Sequence, residues 1–358
     1  MPRCHLRFLW LTMFCVACGN HGGGSGQGGS SAGGDGGLNA GGAGGNEGGA
    51  GNAGTLGGSG ASGGDGGTVS PLPAEQLSLG TEHGCAIGAT GELVCWGDQF
   101  VNDFKQATPP AGSFRELSAL LSTTCALKEN GAFTCWGELA GVMGGVKAKQ
   151  VSVGAHHTCV LQTDASVTCN GPANRPQIQV PSGTFASVGT GWESTCAIRT
   201  DQSLACWGQP DWGILNTPTG RFTKLSVGAR HACAIGTDGT VACWGAGGPS
   251  DPNFAEPSNG FYGQAIPPAG KFIDVSAGEG HTCGIRSNGS AVCWGAGTKD
   301  DACDANFECG QAMPPSGVFV QLAAGTSNTC GIRDDGSIAC WGSNTGNRST
   351  PPSDFRAF

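Results

Sequence analysis

The sequence predicts an all-β chain of seven repeated units, and three observations predict it. Cysteine pairs with nine residues between them occur seven times: Cys85 with Cys95, Cys125 with Cys135, Cys159 with Cys169, Cys196 with Cys206, Cys233 with Cys243, Cys283 with Cys293, and Cys330 with Cys340. Trp-Gly follows the second cysteine in six of them, at Trp96, Trp136, Trp207, Trp244, Trp294 and Trp341, with Asn170 in the third repeat. A Pro-x-Gly-x-Phe lead precedes the pair at Pro110–Phe114, Pro181–Phe185, Pro218–Phe222, Pro268–Phe272 and Pro315–Phe319. Self-similarity at such a period marks a repeat architecture. No useful length of the chain shows the 3.6-residue apolar period of a helix.

Three segments follow in order. Residues 1–18 read as an export leader. Arg3 and Arg7 make a basic start, and the ten residues Phe8–Ala17 form an apolar run too short to span a bilayer as a helix. Val16-Ala17-Cys18 resembles the end of a bacterial lipobox, where the cysteine is diacylated and becomes the first mature residue; Cys15 stands where a leucine is commonest. Lipidation is therefore expected at Cys18, with ordinary signal cleavage near the same place as the alternative. Residues 19–70 are Gly with Ser, Ala, Asn and Asp, and hold almost nothing that could form a core. Such a segment cannot offset the entropy of ordering and is expected to be a disordered tether, with a root-mean-square span of roughly 40 Å. Two G-x-S-x-G matches inside it, Gly29–Gly33 and Gly60–Gly64, lack the strand and helix that a nucleophile elbow needs. Residues 71–358 are expected to fold.

The 19 cysteines sort by parity. Fourteen belong to the repeats, Cys303 and Cys309 form a further close pair, and Cys4, Cys15 and Cys18 are N-terminal. Sixteen lie beyond Cys18, an even number that reads as eight disulfides in an oxidising compartment. The fifth repeat shows how each repeat pair would close. Pairing Gly236 with Thr240 leaves the loop Thr237-Asp238-Gly239, whose third place favours a left-handed residue. Counting back puts Cys233 opposite Cys243 at a non-hydrogen-bonded site, within disulfide reach. Glycine holds the third loop place at Gly91, Gly131, Gly239, Gly289 and Gly336; Ala165 and Gln202 depart from it. The recurring Trp is expected to pack between neighbouring sheets. His83, His157, His231 and His281 each stand two before a first cysteine, and each is expected to hydrogen-bond within its own unit.

The segment Gly278–Gly295, Gly-x-x-His-Thr-Cys-Gly-Ile through Cys-Trp-Gly, resembles the repeat of the regulator of chromosome condensation family. The resemblance extends over all the repeats, about Leu77–Phe358, and implies a seven-bladed β-propeller. The two added cysteines per repeat look like a secreted bacterial branch. The family's Gly-Gln-Leu-Gly segment survives only as Gly263-Gln264 and Gly310-Gln311. Pro351–Phe358 repeats the leading strand; the resemblance implies that a strand from one terminus closes the ring, and this copy could do so. Histidines at equivalent places of a ring lie too far apart to share an ion, so no metal or cofactor is expected.

The net charge is −9, and loss of Arg3 and Arg7 with a leader takes it to about −11. With no basic tail or patch, nucleic acid is excluded as a partner. Acids are scattered and no catalytic set recurs, so no catalytic residue is assigned. An enzyme acting on extracellular polysaccharide is kept as the alternative. The reading favoured is a monomeric binding module or scaffold, held outside the cytoplasm by its lipid anchor, that recognises a protein or glycan. Repeats vary where they bind. The two residues after each loop-glycine position, which is Leu120 in the second repeat, vary: Thr81-Glu82, Leu121-Ser122, Ala155-His156, Trp192-Glu193, Ala229-Arg230, Glu279-Gly280 and Thr326-Ser327. Spacing lengthens after repeats five and six, where Asp251–Tyr262, ending in Phe261-Tyr262, and the acidic stretch Lys299–Cys309 are inserted. Clustered carboxylates in that stretch can hold calcium, though no recognisable loop pattern is present. The expected partner-binding residues are Trp192, Glu193, His156, Arg230, Glu279, Phe261 and Tyr262. Trp212 is a weaker candidate, because Gly213 beside it suggests a turn.

Overall fold

The computed structural model describes residues 77–97, 104–138, 146–172, 175–249, 262–298 and 309–353. The expected leader, Cys18, the tether, Phe261, Cys303 and residues 299–308 of the acidic insert lie outside the described residues. So do residues 354–358 of the terminal copy of the leading strand, and residues 351–353 are not in a strand.

Seven three-stranded antiparallel sheets follow one another along the chain, each a meander of consecutive strands. They span residues 77–97, 116–137, 148–170, 185–208, 222–245, 272–295 and 319–342, blades 1 to 7 of a propeller. In blade 5 the strands are Phe222–Val227, His231–Gly236 and Val241–Gly245, inner to outer. Middle strands are buried along most of their length, as in Thr123–Leu127 and His281–Arg286, because a strand flanks them on each side and a blade covers each face. The inner strands line a central channel of about 650 Å³.

The core is divided among the seams. One apolar cluster lies between each pair of neighbouring blades. Between blades 5 and 6, Cys233 and Ile235 meet Phe272, Val275 and Trp294. The seventh cluster joins Leu77, Leu79 and Trp96 of blade 1 to Ala323, Cys330 and Ile332 of blade 7, and so closes the ring. Arg348, just past blade 7, reinforces this seam: its carbonyl accepts from Trp96 Nε1 at 2.9 Å, and its Nη1 donates to the Thr81 carbonyl at 2.8 Å.

Each Cys-to-Cys hairpin is stapled by its own bridge. Cys85 is bonded to Cys95, Cys125 to Cys135, Cys159 to Cys169 and Cys196 to Cys206. Cys233 is bonded to Cys243, Cys283 to Cys293 and Cys330 to Cys340. The two cysteines of each bridge stand directly opposite in the ladder. The two ends differ in burial. The first cysteine, on the middle strand, is fully buried in every blade. The second lies on the outer strand, and Cys95, Cys169, Cys206, Cys243, Cys293 and Cys340 are only partly buried there; Cys135 is buried. Cys309 is also disulfide-bonded.

The hairpin loop of blade 5 closes with Gly236 N–H on the Thr240 carbonyl, and Gly239 is left-handed at φ 83°. Asp238 Oδ1 accepts from the Thr240 amide and hydroxyl, an Asx turn that fixes the loop. Ala165 and Gln202, which stand at this place without being glycine, adopt the same left-handed geometry, at φ 67° and 72°. The closing bonds on either side hold the backbone there whichever residue is present.

The histidines differ from expectation in one respect: each bonds the next blade. His83, His157, His231 and His281 place Nε2 2.7–2.8 Å from Thr124, Thr195, Thr282 and Thr329. The last three threonines donate their hydroxyls to the carbonyls of Gln177, Gln264 and Gln311. With that hydrogen committed, the threonine oxygen can only accept, so Nε2 carries the imidazole proton. Nδ1 is buried without a hydrogen-bond partner. A side chain on Gly154 would meet the His157 ring at 2.4 Å, which is why the repeat opens its loop with glycine. Burial lowers the pKa of His83 and His157 to about 4 and of His231 and His281 to about 3.

The same glutamine carbonyls receive the tryptophans. Trp207, Trp294 and Trp341 donate Nε1 to Gln177, Gln264 and Gln311, each over a separation of 30 residues. Trp136 donates to Gln106 and Trp244 to Ile214 over the same interval. The glutamine place therefore recurs in more blades than its Gly-Gln signature, since the tryptophan uses only a main-chain oxygen and Ile214 supplies it equally well.

Candidate recognition face

The variable positions ring one end of the central channel. The backbone there is committed, which leaves the side chains as the variable part. In five of the pairs the first residue donates its amide across a seam: Thr81 to Leu121, Ala155 to Gly191, Trp192 to Ala229, Ala229 to Gly278 and Glu279 to Gly325, at 3.0–3.2 Å. Thr326 and Thr81 join their hydroxyls at 3.3 Å, so the ring continues through the seam between blades 7 and 1. The second residue uses its carbonyl within its own blade, as Glu193 accepts from Gln209 and Arg230 from Ala246.

The side chains divide the face unevenly. Blades 7 and 1 present Thr326, Thr81 and Glu82, while Ser327 is buried. Blades 4 to 6 carry an aromatic and charged cluster. Arg230 Cζ lies 4.6 Å from the centre of the Trp192 ring and 4.7 Å from that of Trp212. A cation over an indole face is attracted by the ring quadrupole, by about 0.5–2 kcal/mol according to exposure. Arg175 Nη1 meets Glu193 Oε1 at 3.0 Å beside it, a partly exposed pair of small energetic weight. Glu279 is half-buried; its burial raises the carboxyl pKa, and the charge of Arg230 opposes that rise. Tyr262 lies against Gly280, where an added Cβ would be 3.3 Å from its ring.

The structure thus brings Trp192, Arg230 and Glu279 together, with Glu193 and Tyr262 on the adjoining surface. His156 is exposed in blade 3 and joins none of these contacts. Trp212 is a full member of the cluster, which its turn did not suggest. It occupies a turn with a left-handed backbone, φ 56°, that aims the indole at Arg230. Its signal in the sequence is positional. Arg175 precedes Glu193 by 18 residues, and Trp212 precedes Arg230 by the same interval. Tyr262 and Gly280 keep that offset. The linker ahead of a blade therefore lays one side chain over the second variable residue of that blade.

Other charges serve the fold. At the opposite end of the channel Lys224 pairs with Asp274 at 3.0 Å, while Glu116 accepts from the Val151 amide and Gln150 from that of Val188. Arg199, Arg286 and Arg333 lie over Phe185, Phe272 and Phe319 near the hairpin turns. Among the described residues no group of three or more His, Cys, Asp or Glu could hold a metal ion.

A family model, the regulator of chromosome condensation (RCC1) repeat, matches residues 222–248, 272–300 and 319–347, blades 5 to 7. Among solved structures, the chain is similar to the CRINKLY WD40 ectodomain of the Arabidopsis thaliana receptor kinase ACR4. That match has a TM-score of 0.60 at 25% identity and covers 78% of this chain and 99% of the other. The ectodomain of the Physcomitrella patens receptor kinase CR4 matches with a TM-score of 0.59 at 22% identity, over 75% and 72% of the two chains. Human WBSCR16 matches with a TM-score of 0.55 at 14% identity, over 72% and 85%. No curated protein sequence matches. The chain carries RCC1-like repeats folded as a β-propeller.

Proposed function

We propose that this chain is an extracytoplasmic binding protein of a Cys-rich bacterial type, held to the cell envelope by lipid on Cys18 and a glycine-rich tether. Its loop face recognises a protein or glycan partner and catalyses no reaction. The observation that carries the reading is the stack of Arg230 on Trp192 and Trp212, on the face where the repeats vary most. Trp, Tyr and Arg are the residues that dominate binding energy at interfaces, and a rigid stack presents them without loss of rotamer freedom. The disulfide in every blade suits an oxidising compartment. The fold likeness to a plant receptor-kinase ectodomain at 25% identity agrees with a face turned outward. The protein acts as a monomer without nucleic acid or cofactor.

Two measurements test this. Cys18→Ala should move the protein from the membrane fraction to the soluble one; retention in membranes would show another anchor. The full chain, immobilised, should capture one partner from solubilised envelope. Trp192→Ala should weaken that capture about thirtyfold, the effect of losing one hot-spot anchor. Undiminished capture would remove the loop face from recognition. Turnover of an extracellular polysaccharide by the purified chain would favour the enzyme alternative instead.

A further inference from the structure

We propose that the surface shared by blades 4 to 6 is a subsite for one uncharged hexopyranose residue of a glycan. Arg230 donates to, and Glu279 accepts from, neighbouring hydroxyls, beside the rings of Trp192 and Trp212. This deepens the binding reading above and rests on it.

The argument begins with Arg230. Its guanidinium stays over two indoles, and its Nε is buried without a hydrogen-bond partner. Among the described residues its side chain donates no hydrogen bond. Arg115, Arg199, Arg286 and Arg348 all donate to main-chain carbonyls, and Arg175 pairs with Glu193. Arg333 shares the bare Nε, but it holds the repeat's place over a phenylalanine. A buried donor without a partner is costly in a finished fold and calls for an explanation.

Glu279 supplies the complement. Its carboxylate is half-buried, near enough for the charge of Arg230 to act on it, and among the described residues makes no side-chain hydrogen bond. A donor fork and an acceptor thus stand close together without satisfying each other. Trp212 adds a third observation. A bulky residue held left-handed is a backbone outlier, and such outliers persist where the surroundings over-determine them.

Chemistry selects the ligand. A carboxylate or phosphate would satisfy Arg230 but would face Glu279, on a chain of net charge −9. A flat protein interface would desolvate both charges and return nothing unless its groups matched each of them. A pair of sugar hydroxyls does match, because each can both accept and donate. The apolar face of the ring packs on indole while its hydroxyls reach the charged pair. Neutral sugar is the ligand class that offers a partner both to the guanidinium nitrogens of Arg230 beyond its buried Nε and to the Glu279 carboxylate.

The full chain, purified in detergent, is applied to an array of neutral and acidic oligosaccharides. The strongest neutral binder is then titrated calorimetrically. The expected result is binding of a neutral glycan that weakens about tenfold in Glu279→Gln and more in Trp192→Ala. The Glu279→Gln change is isosteric, so its thermal midpoint should match the parent and exclude misfolding as the cause. Binding restricted to uronate or sialylated glycans, no glycan binding, or neutral binding indifferent to both variants would each overturn the assignment. A protein captured by this face in a Trp192-dependent way, with no glycan bound, would overturn the sugar assignment and leave the binding function standing.

Discussion

Replacing Ala165 and Gln202 with glycine should stabilise the propeller. Both occupy the third hairpin-loop place, with φ 67° and 72°. The left-handed conformation costs an L-residue roughly 1–2 kcal/mol. Glycine removes that cost but loses more backbone freedom on folding, by about 0.5–1 kcal/mol. The difference leaves about 0.5–1 kcal/mol gained per site. The two sites lie in separate blades and share no partner, so the effects should add to about 1–2 kcal/mol. For a domain of this size that raises the thermal midpoint by roughly 2–6 °C. The carbonyls of both residues, which accept from Phe185 and Phe222, are untouched by the change.

Gly239→Ala supplies the converse. A Cβ there meets only Lys271, at 3.5 Å, so backbone strain is isolated from crowding. Gly289→Ala would add a clash with Val318 at 2.5 Å and should cost more. Unfolding is followed by circular dichroism without reductant. If Ala165→Gly and Gln202→Gly lower the midpoint while Gly239→Ala leaves it unchanged, the strain argument is wrong.

Acid should loosen the blade seams. The unfolded chain protonates each of His83, His157, His231 and His281 near pH 6.5, whereas the folded chain does so only near pH 3–4. Stability therefore declines as the pH falls from about 6.5 toward 4, by about 2 kcal/mol per histidine at pH 5. Guanidinium midpoints at pH 7 and pH 5 measure this, and equal midpoints would contradict it. Opening one staple should also be felt. The double change Cys233→Ala and Cys243→Ala removes a bridge of sequence separation 10 that packs into the seam with blade 6, and should cost roughly 2–3 kcal/mol. An unaltered unfolding midpoint would mean that the seam, not the bridge, holds the hairpin.

What was legible in the sequence was whatever a repeat expresses within itself. The Cys register, the hairpin loop and the Phe-led strand are local, and periodicity exposes them. Relations between repeats were harder to read. Within one repeat the histidine has no neighbouring unit to bond, whereas its partner threonine stands beside the first cysteine of the next blade. Gln106 and Gln177 carry no sequence signature for another reason: the fold uses their main-chain oxygens, so the surrounding glycine signature is dispensable. Ala165 and Gln202 show the same logic, since backbone hydrogen bonds impose a conformation that the residue type does not announce.

The candidate recognition face inverts this relation between repetition and meaning. A position is variable either because nothing constrains it or because each blade is tuned differently, and composition at that position alone cannot separate the two. Spatial pairing can. At Glu193 and Arg230 the linker 18 residues earlier supplies a complementary side chain, Arg175 in one case and Trp212 in the other. Unconstrained surface would not produce a charged partner for a charge and an indole for a guanidinium at the same offset. Nor would it hold Trp212 left-handed to do so. The cluster is therefore built at some local cost on top of a seam ring that already closes without it, and the ring's own stability is what makes that cost tolerable.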